Sequence, residues 1–162
     1  MKDLDFKNAK HLVGDLKIRS RGEEVAKGYK PDLTLVDGSG QLKFIVECEG
    51  QKTDRKAILG GWIKAEKYAQ EKNASPTFVI VMHPSDNTTV DQIANHLQPY
   101  LTWLNGLIPR GLNLAEVLVL SDEQYFSSQR SGEIIGSSAF RARARSFSGR
   151  AATAQPAGNS AM

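Results

Sequence analysis

Residues 30–52 read KPDLTLVDGSGQLKFIVECEGQK. Two runs rich in Leu, Val, Ile and Phe, 30–37 and 42–49, flank DGSG, a turn sequence suited to closing an antiparallel hairpin. A loop over Gly38 to Gln41 sets Asp37 opposite Leu42 and, further along the ladder, Asp32 opposite Glu47. Opposed side chains on one face have Cβ atoms about 4.5–5.5 Å apart. Glu49 shares that face with Lys30 across from it, whereas Phe44, Val46 and Cys48 turn the other way, into a core. Two opposed carboxylates in an apolar hairpin repel each other. A proton, a Lys or Arg, or a hard divalent cation relieves that repulsion. If Lys30, Lys52 or Arg55 pairs with them, the stretch is simply an exposed edge hairpin.

Outward from the hairpin, helical and strand periods alternate. Residues 3–13 are weakly helical, and 15–21, DLKIRSR, read as a strand ending at Gly22. Downstream, TDRKAILGGWIKAEKYAQEK carries Ile58, Leu59, Trp62, Ile63, Ala65 and Ala69 at the spacing of an amphipathic helix. Gly60 and Gly61 interrupt it at about 1 kcal/mol each, which predicts a close approach there. PTFVIVMHP is a buried central strand bounded by prolines. Thr89 and Gln92 form a capping box for a helix using Val90, Ile93, Ala94, Leu97, Leu101 and Leu104, with a break or kink at Pro99. AEVLVLS is a second buried strand. The order is helix, three-strand meander, helix, strand, helix, strand: an α/β domain with a mixed central sheet and helices on both faces. Trp62 and Trp103 fall on or near apolar stripes and read as core.

The chain has 162 residues, 40% hydrophobic and 24% charged, as expected of one soluble globular domain. No apolar run approaches the roughly 18–20 residues of a membrane span. MKDLDFKNAK has no apolar signal core, so a cytoplasmic location is expected, with no membrane partner. The single cysteine, Cys48, excludes an intrachain disulfide, and there is no Cys/His metal cluster. The net charge of +3 belongs to the end of the chain, where residues 129–162 hold five arginines against Glu133 alone. Rich in Ser, Ala, Gly and Arg, residues 128–162 are expected to be a mostly disordered tail behind a domain spanning 1–127. Its AFRARARSF stretch reads as a solvated segment, or one able to touch phosphates.

Pro31–Asp32, Glu47 fifteen positions after Asp32, and Glu47-Cys48-Glu49 resemble the motif of the PD-(D/E)xK phosphodiesterase superfamily, the restriction-endonuclease-like fold. The element order over about residues 3–121 resembles that family's αβββαβαβ core. The resemblance implies a Mg²⁺-dependent nuclease, with Mn²⁺ as a substitute, that hydrolyses DNA phosphodiester bonds. Carried over by position, Asp32 and Glu47 are metal ligands and the Cys48 backbone carbonyl is a further one. Glu49 stands where the family usually has lysine; it would ligate a second ion or orient and deprotonate the attacking water. The functional lysine then falls to Lys52, Lys30 or, on the following helix, Lys64. Lys30, Lys52, Arg55 and Lys56 would hold backbone phosphates without reading sequence, with Lys27, Arg19 and Arg21 nearby. The Glu49 departure also admits a catalytically inactive nuclease-like fold that binds nucleic acid or assists a larger complex.

Duplex cleavage by one site per chain calls for a two-fold dimer, with Trp103, Leu104, Leu107 and Ile108 as its apolar surface. Other chemistry has weaker footing. Glu23 or Glu24 could add an upstream metal ligand, and His83 ends a buried strand, where ligand sites often form. His11 and His96 have no partner at ligand spacing. Neither a Walker nor a Rossmann phosphate loop is present, nor a Ser or Cys nucleophile with an evident His partner.

Overall fold

Each strand of the sheet lies beside its neighbour in sequence. The computed structural model describes residues 3–148 apart from 50–53. Its elements are α1 (Asp3–Asn8), β1 (Lys17–Ser20), β2 (Leu33–Val36), β3 (Leu42–Glu49), α2 (Arg55–Glu71), β4 (Thr77–Met82), α3 (Val90–Leu107), β5 (Glu116–Ser121), α4 (Asp122–Arg130), α5 (Ser138–Arg143) and β6 (Arg145–Ser148). The six strands found among these residues form one mixed sheet in the order β1-β2-β3-β4-β5-β6. β3, β4 and β5 run parallel, and β1–β2, β2–β3 and β5–β6 pair antiparallel. No helix among the described residues is long and apolar enough to cross a membrane.

Alternation along the central strands splits the core into two layers. Ile45, Phe78, Ile80, Val117 and Val119 face α2 and α3, where Trp62, Ala65, Ile93 and Leu97 cover them. Val46, Val79, Val81, Leu118 and Leu120 face the other way, against Phe6 of α1, Tyr125 of α4 and Phe140 of α5. Both faces of β4 and β5 are therefore buried, which is why these strands read as unbroken apolar runs. The expected capping box is present: Gln92 N–H donates to Thr89 Oγ1 at 3.2 Å and Thr89 N–H to Gln92 Oε1 at 2.9 Å.

The structure departs from the sequence expectations at three places. First, the hairpin keeps the expected register at Leu33–Val46, Thr34–Ile45 and Leu35–Phe44, then shifts so that Val36, rather than Asp37, pairs with Leu42. Asp37 is drawn into the turn, where its Oδ1 accepts from the N–H groups of Ser39 and Gln41 at 2.9 and 3.0 Å. Gly40 takes the left-handed conformation at φ 85°. Second, α3 continues through Pro99 instead of breaking there; packing of Leu97 and Leu101 outweighs the one backbone donor that proline lacks.

Third, the disorder expected from residue 128 does not describe residues 128–148. α4 continues to Arg130, and α5 and β6 follow it, with β6 pairing on β5 as an edge strand. A few anchors outweigh the polar composition: Ile135 and Phe140 are buried. The arginines are committed to partners within the fold, Arg141 to Glu116 at 2.5 Å, Arg143 to Glu133 at 2.7 Å and Arg145 to Asp91 at 3.7 Å. The rest of the expected tail, 149–162, lies outside the described residues.

Candidate active site

β3 delivers Glu47 and Glu49 on the face toward α2, with buried Cys48 between them facing the opposite layer. Asp32 sits in a bend one residue before β2, just beyond the Leu33–Val46 pair that ends the ladder. It is nearly enclosed, at 6% exposure. Its Oδ2 accepts the Cys48 backbone N–H at 2.6 Å, and Lys7 Nζ of α1 lies 3.5 Å from its Oδ1. A charge-assisted bond from the backbone of β3 thus ties the two strands together at the position of the motif.

Glu47 carries the cost of this arrangement. Burial first, then the charges of Asp32 and Glu49, push its carboxyl up to about 8, against the opposing effects of Tyr29 and Lys64. Tyr29 is 5% exposed, and its hydroxyl stands near Glu47 without a hydrogen bond of ordinary length. Burial, with Glu47 second, raises the phenol well above its usual range, so it stays protonated as a donor. Above Glu47 runs α2, and it passes at Gly61: a Cβ there would stand 3.9 Å from Glu47 Oε1. Beside Gly60 there is only open space. Neither glycine is forced by a close approach: at Gly61 an added Cβ would make an ordinary contact with Glu47, so the expectation that something passes tightly at the pair is not met.

The site opens at the carboxyl ends of the parallel strands, since Glu49 is paired with Met82 and Met82 with Ser121. Arg55 and Lys56 are exposed where α2 begins, capped by the Asp54 side chain on Lys56 N–H, and Arg55 reaches the Asn87 carbonyl at 3.4 Å. Lys30 is exposed beside Asp32. Lys64, one turn along α2 from Gly61, is exposed but close enough for its charge to lower the Glu47 pKa. Lys52 lies outside the described residues.

Asp32, Glu47 and Glu49 thus share one electrostatic neighbourhood, yet among the described residues no three His, Cys, Asp or Glu side chains converge tightly enough to hold an ion. The donor chemistry nevertheless suits a hard divalent cation: carboxylate oxygens brought together where burial and like charges oppose their ionisation, and beside them the buried Tyr29 hydroxyl without a close partner. Asp32, Glu47, Glu49 and the Cys48 carbonyl are the groups that would hold it. Sequence reasoning missed Lys7 and Tyr29. Lys7 looks like any other lysine of MKDLDFKNAK; Tyr29 adjoins the Lys30-Pro31-Asp32 stretch, the one signal that could have singled it out.

The remaining candidates have structural employment. Glu23 accepts from Arg21 N–H, and Glu24 from Gly28 N–H at 3.0 Å, so each closes its own turn. His83 pairs with Asp122 at 2.8 Å where β4 ends beside α4. His11 is buried between Tyr125 Oη at 2.6 Å and the Phe6 carbonyl at 2.8 Å. Trp62 is core as expected, but Trp103 is 60% exposed because it points off the outer face of α3. A cleft of about 850 Å³, lined by Arg19, Glu23, Glu24, Gln41, Tyr68 and Lys72 among others, lies at the hairpin tip, away from the carboxylates. Compared with known proteins, the chain matches no family model, no curated protein and no solved structure.

Proposed function

We propose that the chain is a divalent-cation-dependent phosphodiesterase that hydrolyses DNA, a PD-ExE variant of the PD-(D/E)xK site on a restriction-endonuclease-like core. The observation that carries this reading is the gathering of Asp32, Glu47 and Glu49 at one end of β3, where burial first and then the Asp32 and Glu49 charges oppose ionisation of Glu47. Mg²⁺ typically takes one or two carboxylates and fills its remaining positions with water and phosphate oxygens. When bound, the ion supplies Lewis acidity toward the scissile phosphate and stabilises the leaving oxygen. The protein's own groups do the rest. A carboxylate oxygen of Glu49 accepts the proton of the attacking water. Lys64 places positive charge beside Glu47, where charge develops on the phosphate. Lys30, Arg55 and Lys56 hold flanking phosphates.

Incubation with supercoiled plasmid tests the reading. Nicked or linear product should form with Mg²⁺ or Mn²⁺, disappear in chelator, and be lost in Glu47→Gln. One residue favours a second reading. Glu49 stands where the family places lysine, which suits a nuclease-like fold that binds nucleic acid without cutting; retained DNA binding with no cleavage under either metal would select it. For duplex cleavage the assembly is a two-fold dimer, and exposed Trp103 and Leu107 of α3 are the apolar surface available to it. A monomeric mass by light scattering at high concentration, with double-strand cutting, would contradict that assembly.

A further inference from the structure

α1 reaches the carboxylates through one side chain. The stem of Lys7 passes over Gly22, where a Cβ would stand 2.9 Å from both Cδ and Cε and 3.0 Å from Nζ. Gly22 has φ +93°, a conformation that suits glycine, and its lack of a Cβ leaves room for the Lys7 stem. Arg21 anchors the backbone at the end of α1 by donating to the carbonyls of Lys7 at 2.7 Å and Ala9 at 3.3 Å. From this anchored backbone the Lys7 side chain, 28% exposed, brings its ammonium to 3.5 Å from Asp32 Oδ1. The other oxygen of Asp32 takes the Cys48 N–H.

We propose that Lys7 is a resident counter-ion of Asp32 in the metal-free protein, and that a divalent cation gains Asp32 by displacing it. The inference rests on the metal-site reading above. Two cations cannot share the Oδ1 side of one enclosed carboxylate without strong repulsion, so filling the site loosens the tie between α1 and β2. Lys7 acts here as a positioning residue: it neutralises Asp32 while the site waits, and leaves when a harder cation arrives.

Calorimetric titration of Mg²⁺ into wild type, Lys7→Met, Lys7→Arg and Glu47→Gln, beside thermal melts in chelator, tests this without any nuclease assay. Lys7→Met should bind Mg²⁺ about three- to fivefold more tightly than wild type, the scale of a partly exposed ion pair. It should also melt lower than wild type in chelator, and Lys7→Arg should restore both properties. Equal or weaker Mg²⁺ binding by Lys7→Met overturns the proposal; if binding is still lost in Glu47→Gln, the metal site itself stands. No Mg²⁺ binding by wild type or Lys7→Met overturns both.

Discussion

Asp32 and Glu47 lie within electrostatic reach of each other, but they stand on different energetic footings. Asp32 has a backbone donor and an ammonium within reach, whereas Glu47 has burial and two like charges, set against the opposing effects of Tyr29 and Lys64. Neutralising each should therefore act in opposite directions. In chelator at neutral pH, Glu47→Gln is expected to melt at or above wild type, gaining up to about 1–2 kcal/mol, because the amide avoids the cost of holding a buried carboxyl protonated against its ordinary pKa. Asp32→Asn weakens the acceptor for Cys48 N–H and strands Lys7, at about 1–3 kcal/mol. Urea unfolding of the two variants checks this, and equal losses in both would mean that Glu47, too, is a stabilising ion-pair member. The hairpin register from Leu33–Val46 to Leu35–Phe44, which carries Asp32 and Glu47 to the same end of the strand pair, was legible from the turn and the strand period. Lys7 and Tyr29 were not, because only the packing of α1 and of the 24–29 turn brings them there.

Among the elements, the instructive case is the segment after β5. Mean composition made it look unable to offset its ordering entropy, but ordering depends on a few well-buried side chains rather than on an average. Phe140 is 0% exposed and touches Tyr125 ring to ring, with centroids 5.9 Å apart. Gly136 leaves room for Phe44, whose ring a Cβ placed there would strike. Phe140→Ala should accordingly cost about 3–5 kcal/mol, the range for emptying a buried aromatic site. A chemical denaturation curve indistinguishable from wild type would return the segment to the status of a solvated tail. Such anchors are invisible beforehand, since one phenylalanine ahead of an Arg-Ala run has no periodicity to mark it. The α2 stripe, with its glycine pair, did carry such a mark.

At the scale of the whole molecule, the two ends of the described chain are laced together. Leu12 N–H donates to Gln129 Oε1 at 2.6 Å, Ile135 N–H donates to the Leu12 carbonyl at 2.8 Å, and His11 bridges Phe6 and Tyr125. Burial, the largest influence on His11, lowers its pKa from the ordinary 6.5. The unfolded chain therefore takes up this proton first as pH falls, so the contribution of neutral His11 is intact above about pH 6.5 and declines below it. Wild type should lose melting temperature between pH 7 and 5.5, and His11→Gln, which cannot titrate, should show a shallower slope over that interval. Parallel slopes would remove His11 from the acid response.

By itself, the sequence determined the element order as far as β5, the two-sided burial of β4 and β5, and the hairpin register from Leu33–Val46 to Leu35–Phe44. These follow from local turn chemistry and from side-chain periods of about 2 and 3.6 residues, which are properties of short stretches. Only the tertiary structure decided that Lys7 lies on Asp32, that Gly61 passes over Glu47, that α3 runs through Pro99, and that residues 131–148 close the far edge of the sheet. Each depends on contacts between segments distant in the chain, where the burial of a few side chains outweighs local propensity and composition.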